Sequence, residues 1–301
     1  MTALSDTVPE VGSVGPSAAP TRVRPFYWSV RRELWENRSI TIAPLAAAAV
    51  VLFGFLVSTV FRSHMMGDGA ATGGVKHAVR LAEPYDFACF AITVTTLLVA
   101  LFYCLGALHG ERRDRGILFW KSLPVSDLTT VLAKASVPMV ILPLVALAVA
   151  LATQLIMLAL NTLVLWLHGL GAASVWASAP LIHRPLDLVY GLTVLALWNA
   201  PIYGWLLLVS GWARRTVFLW AFLPPLALCV VEKIAFGTGN FASLLIYRIT
   251  GSFSEGFTGG NDSFRMDPLK FLRTPGLWLG LAFAAAFLAA AVWQRRRREP
   301  I

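Results

Sequence analysis

Apolar positions in this chain run in long continuous blocks rather than in alternation. Residues 39–61 make an uncharged run of 23, residues 87–109 make another, and the window from Ala135 to His183 holds 49 positions without a formal charge. Further blocks occupy 188–212, 216–236 and 275–294, the last closed by four arginines at 295–298. A helix needs about 20 apolar residues to cross a bilayer, whereas barrel strands read as runs of about 10 with alternating polarity. The blocks therefore predict an all-α integral membrane protein with six transmembrane helices at about 39–61, 87–109, 135–163, 188–212, 216–236 and 275–294. The 49-residue window is too long for one helix and short for two with a loop. Its second half, "LHGLGAASVWASAPLIH", is expected to follow the outer interface with Trp166 and Trp176 as anchors.

Between the blocks the pattern changes. "RPFYWSVRRELWENRS" (24–39) reads as an amphipathic elbow helix lying in the interface, with Phe26, Trp28 and Trp35 at headgroup depth and Arg31 and Arg32 toward water; the alternative is a plain basic flank of the first span. A hydrophilic connection with Gly67, Gly69, Gly73 and Gly74 leads to Pro84. "FASLLIYRI" (241–249) is too short to span and predicts a re-entrant or interfacial helix before the sixth span, with loop from Thr250 onward. Pro138 and Pro143 in the third span, Pro201 in the fourth and Pro224-Pro225 in the fifth each remove a backbone donor, and a break is expected near Asn199–Pro201. These are either static kinks or parts of a path that changes shape. Pro143, Pro201, Pro224 and Pro225, with Glu232, are the candidate path or gating positions. Glu232 and Lys233 together would cost roughly 5–7 kcal/mol at a bilayer centre, which places them near the outer end of the fifth span.

Charge orients the bundle. Of the 25 Lys and Arg, sixteen fall on the side of the N-terminus and nine on the other, so the positive-inside rule puts both termini and residues 110–134 in the cytosol. Composition agrees with the membrane class: 57% hydrophobic, 14% charged, mean hydropathy +0.69. The net charge of +9 is divided among loops, which suits topology and anionic lipid rather than nucleic acid, and no nucleic-acid partner is expected. Residues 1–23, polar and without an apolar h-region, are expected to be a disordered cytosolic tail rather than a cleaved signal; 24–301 form one transmembrane domain.

Little here points to catalysis. Cys89, Cys104 and Cys229 form neither a disulfide framework nor a metal set, and the five histidines lie far apart. "GAATGGVK" (69–76) has a Walker-like glycine spacing, but Val75 occupies the lysine position and no Ser or Thr follows Lys76. His109 beside Glu111 is the nearest approach to an acid–base pair. No bound metal or cofactor is expected on this chain.

One polar segment stands apart. "GERRDRGILFWKSLPVSDLTTVLAK" (110–134) surrounds Ile-Leu-Phe-Trp with charge and ends in a Leu-Pro-Val-Ser turn. With the six-span plan, the element before the first span and the hairpin before the last, it resembles the permease subunits of ABC transporters of the type-2 exporter class. In that family an acidic residue followed by basic ones ends the second span, a short helix and a Pro turn follow, and a lysine starts the third. The matching positions are Glu111, Arg112, Arg113, Asp114, Arg115, Phe119, Trp120, Lys121, Pro124 and Lys134. The resemblance implies that this segment is the coupling helix docking on a separate cytosolic ATPase subunit, which holds ATP and Mg. It also implies a second permease copy or a related chain, and a bacterial-type inner (plasma) membrane location. An intramembrane lipid-modifying enzyme and a membrane anchor or assembly protein that moves nothing are the rival readings.

Overall fold

A computed structural model describes residues 25–65, 74–113, 126–167, 183–213, 215–257 and 268–297. The described elements are helical. They are α1 (Pro25–Glu36), α2 (Ser39–Met65), α3 (Gly74–Arg113), α4 (Asp127–Ser136), a π-helical turn (Val137–Ile141) and α5 (Leu142–Leu167). There follow α6 (His183–Trp212), α7 (Val217–Phe236), α8 (Asn240–Phe257), α9 (Pro268–Arg273) and α10 (Pro275–Arg297).

Six stretches are long and apolar enough to cross a membrane: Ser39–Thr59, Glu83–Gly110, Asp127–Val164, Pro185–Trp212, Val217–Phe236 and Pro275–Arg297. The protein is an all-helical, multi-pass membrane protein. Its polarity is arranged for lipid, with Leu45, Val50, Phe53, Leu144, Leu223, Leu226 and Phe283 exposed on helix surfaces.

The helices are not equivalent. Within its apolar window α6 is 67% buried, against 11% for α7. α6 packs on α3, α8 and α10, and two glycines set the spacing to α10. A Cβ on Gly204 would meet the Ala284 backbone at 3.2 Å, and one on Gly211 would touch Gln294 and Leu108. Such small-residue contacts let helix backbones approach where lipid supplies no hydrophobic drive. Because Trp198 lies by Gly276, Gly204 by Ala284 and Gly211 by Gln294, α6 and α10 run parallel, and α10 begins level with the middle of α6.

Four local expectations are corrected. The stretch ahead of Pro84 is helical from Gly74, because one proline costs a single backbone bond and the residues before it favour helix. α6 runs unbroken through Pro201, with Asn199 donating to the Leu195 carbonyl at 2.9 Å. α8 continues to Phe257 instead of ending at Ile249. Thr250 returns its hydroxyl to the Ile246 carbonyl at 2.7 Å, and Gly251 is a packing residue: a Cβ there would lie 2.9 Å from the Trp198 ring.

The fourth concerns the third span, which is two helices in line. Pro138 cannot donate to the Lys134 carbonyl, and the Val137 N–H takes that acceptor instead. The turn then widens, with the Leu142 N–H reaching the Val137 carbonyl five residues back, immediately before Pro143. α4 is thereby set off from α5 by a wide turn.

Candidate functional site: a charged brace at one end of the bundle

α1, the C-terminal turns of α3 and α6, α4 and the C-terminal turn of α10 meet at one end of the bundle. The flanks of the 114–125 segment lie there too, as do both described chain ends, Pro25 and Arg297.

In α1, Arg31 stacks across Trp28 (5.2 Å) and Trp35 (4.8 Å), its neighbours at i−3 and i+4. The arginine therefore shares the tryptophans' face rather than turning away from them. Arg32 pairs with Glu36 at 2.6 Å, and Phe26, Trp28 and Trp35 are exposed. The opposite face buries Glu33, only 4% exposed. Its Oε1 accepts from Lys134 Nζ at 2.7 Å and its Oε2 from the Tyr103 hydroxyl at 2.8 Å. Lys134, at 2% exposure, belongs to α4, and Tyr103 to α3. Leu34, Ile40, Ala100, Cys104, Ala135 and Val137 pack around the cluster. Burying two charges costs several kcal/mol each, which only close pairing and further hydrogen bonds offset; both are present.

The other end of α4 is also held. Ser126 caps it, its Oγ accepting the Thr129 N–H at 3.2 Å. Asp127 in the first turn pairs with Arg295 of α10 at 2.9 Å. An acid at one helix start and a base at another helix end suit both dipoles. α3 and α6 are joined beside this: Ser210 Oγ accepts the N–H groups of Leu108 and His109 at 3.0 Å each, and His109 Nδ1 donates to the Ala213 carbonyl at 3.2 Å. The histidine is thereby a structural tie.

Of the ten positions in the coupling motif, Glu111, Arg112 and Arg113 form the last turn of α3. Asp114, Arg115, Phe119, Trp120, Lys121 and Pro124 lie outside the described residues. Lys134 points inward to Glu33, so its ammonium is a brace within the chain and not a surface contact. On sequence Glu33 is marked only as the acid between two basic neighbours and two apolar ones in "RRELW".

The candidate path positions lie on several helices. Pro143 opens α5 after the wide turn, Pro201 lies inside α6, and Pro224 and Pro225 lie inside the unbroken, lipid-exposed α7. Glu232 caps the next helix: its oxygens accept from the Thr238 hydroxyl and from the N–H groups of Asn240 and Phe241, each at 2.8 Å. Gly237, with φ of 65°, makes the turn between them. Among the described residues no three His, Cys, Asp or Glu side chains gather to hold a metal. Neither family models nor characterised proteins nor solved structures match this chain, so its function has to be read from its own residues.

Proposed function

We propose that this chain is the permease subunit of an ATP-driven exporter of the type-2 ABC class, working as a pair with a second permease in a bacterial-type plasma membrane. In this reading both termini and residues 110–134 face the cytosol, and α1 is an interfacial elbow. α8 is a re-entrant helix, and a separate ATPase subunit holds ATP and Mg. The chain itself hydrolyses nothing.

The observation that carries the reading is the construction of α4. It is the helix into which the Phe119–Trp120 segment leads. It is tied by Lys134–Glu33 to α1 and by Asp127–Arg295 to α10, and set off from α5 by the π turn. A force applied at 114–125 would pass through α4 to α1 and α10 by ion pairs rather than through lipid-facing surface. Single π turns inside helices are frequent at functional sites. An enzyme or an inert anchor has no evident use for such a lever.

Copurification tests it. The chain is expressed with candidate cytosolic ABC ATPase subunits of the same organism, and ATP turnover and recovery of the complex are measured. The chain alone should show no turnover, and the complex should. Phe119→Ala with Trp120→Ala should cut recovery sharply, since aromatic anchors each carry about 2 kcal/mol or more at an interface. Turnover by the lone chain, or unchanged recovery of the double variant, would refute the reading.

A further inference from the structure

Three charged side chains are buried among the described residues: Glu33, Lys134 and Arg248. The first two satisfy each other. Arg248, 9% exposed, does not meet an acid. It projects from α8 into the space between the middle of α6 and the first turns of α10. Its Nη1 donates to the Gly276 carbonyl at 2.8 Å. Its Cζ lies 4.6 Å from the centre of the Trp198 ring, and the Trp198 indole N–H donates to the Arg248 carbonyl at 2.9 Å. On the other side the guanidinium occupies the space that a Cβ on Gly280 would need.

The remaining donors, Nε and Nη2, are buried and have no acceptor among the described residues. They are adjacent, on one edge of the guanidinium. That edge offers two parallel N–H groups, the fork that binds a carboxylate or phosphate through two oxygens. The bond from Nη1 and the Trp198 face hold the fork in one orientation, so little freedom is lost on binding. The surroundings are apolar and aromatic. Val194, Trp198, Phe271 and Leu277 form the local core, and Tyr247 sits edge-on to Trp198 with centroids 5.4 Å apart. Trp198 is midway along α6, about 20 Å from either end. A buried charged group enclosed by three helices of a membrane bundle, beside the first turn of α10, points to a binding role.

We propose that the Nε–Nη2 edge of Arg248 binds the oxyanion of an amphiphile, a carboxylate or phosphate carried on an apolar tail, between α6, α8 and α10. The edge is closed in this structure, and entry requires α8 to part from α10. α8 is suited to this: its Leu244, Ile246 and Ile249 are exposed, and it is joined to α7 through the Gly237 turn that Glu232 caps. The oxyanion can belong to a membrane lipid or to a carried molecule, and the aromatic wall receives the tail in either case.

The whole chain, purified in a neutral maltoside detergent, is titrated separately with dioctanoyl phosphatidic acid, with dodecanoate below its micellar concentration, and with dioctanoylglycerol. Retained ligand is counted by native mass spectrometry. The wild type should hold one acidic amphiphile per chain, saturably, and should not hold the uncharged control. Retention of phosphatidic acid alone assigns a lipid headgroup; retention of dodecanoate as well assigns a site open to carried acids. Arg248→Lys keeps the charge but loses the fork and should weaken retention tenfold or more, and Arg248→Met should abolish it. If neither acid is retained above the control, the site is refuted with no variant needed. Equal retention by wild type and Arg248→Lys also refutes it. The ATPase takes no part in the measurement, so its result is independent of the proposed coupling.

Discussion

Two places in this bundle bury charge, and they do so by opposite means. At the end where α1, α3 and α4 meet, Glu33 receives Lys134 on one oxygen and Tyr103 on the other, so each charge faces its opposite. Midway along α6, Arg248 has one carbonyl, one aromatic face and two donors without acceptors. The first arrangement is complete within the chain, and it ties three helices whose partners are far apart in sequence. The second is incomplete among the described residues, and the amphiphile proposed above would complete it. A completed pair serves as a joint; an incomplete one serves as a receptor. Removing a partner should therefore be costly at the first place and cheap at the second.

The largest effect should come from Lys134→Met. It leaves the Glu33 carboxylate buried with only the Tyr103 hydroxyl, and breaking a buried pair from one side costs about 3–5 kcal/mol. Unfolding by denaturing detergent, followed by circular dichroism, should show a loss of that size. Glu33→Leu together with Lys134→Met removes both charges and should recover most of it. If the double variant is as unstable as the single, the cluster's role is packing and not charge compensation.

Tyr103→Phe comes next. It deletes one hydrogen bond to a charged acceptor and leaves the ring in place, for a loss of about 1.5–3 kcal/mol in the same assay. A loss near zero would mean that Lys134 alone satisfies Glu33.

Arg248→Met sharpens the contrast. The substitution gives up a stacked cation and one hydrogen bond but also removes a buried, half-satisfied charge. Stability should shift by about 1 kcal/mol or less in either direction. A loss as large as that of Lys134→Met would mean that Arg248 is a joint after all.

The two places also differ in how far they could be read from the sequence. The six spans were legible because hydrophobic blocks of membrane length have few alternative uses. Neither buried charge was. Lys134 and Glu33 are 101 positions apart, and no local pattern joins them. Lys134 was grouped with the surface segment it follows, although it stands as a lone cation in "TTVLAKASVPM". Arg248 carries no mark of burial in the sequence, because Thr250 and Gly251 after it carry turn chemistry. Their helical roles, a hydroxyl returned to the preceding turn and a Cβ-free surface under Trp198, exist only once α6 is in place. Likewise α6 continues as helix through Pro201, and both prolines of the third span lie at a widened turn.

The smallest expected effect on stability tests the joint from its other end. Asp127 and Arg295 are partly exposed, with side chains at 26% and 17%, so water and salt screen their attraction. Asp127→Asn should cost about 1 kcal/mol or less, and the difference from wild type should shrink between 0.05 and 1 M salt, roughly the range over which the Debye length falls from above 10 Å to 3 Å. The Lys134→Met loss, arising where solvent does not reach, should be indifferent to salt. Function separates a joint that transmits movement from one that merely holds. In the exporter proposed above, if α4 carries displacement to α10, Asp127→Asn should lower transport per ATP hydrolysed far more than so small a stability change would suggest, and high salt should lower the wild type toward the variant. If transport per ATP is unchanged by the substitution, α4 acts on α1 alone, and the Arg295 contact is only a cap on the end of α10.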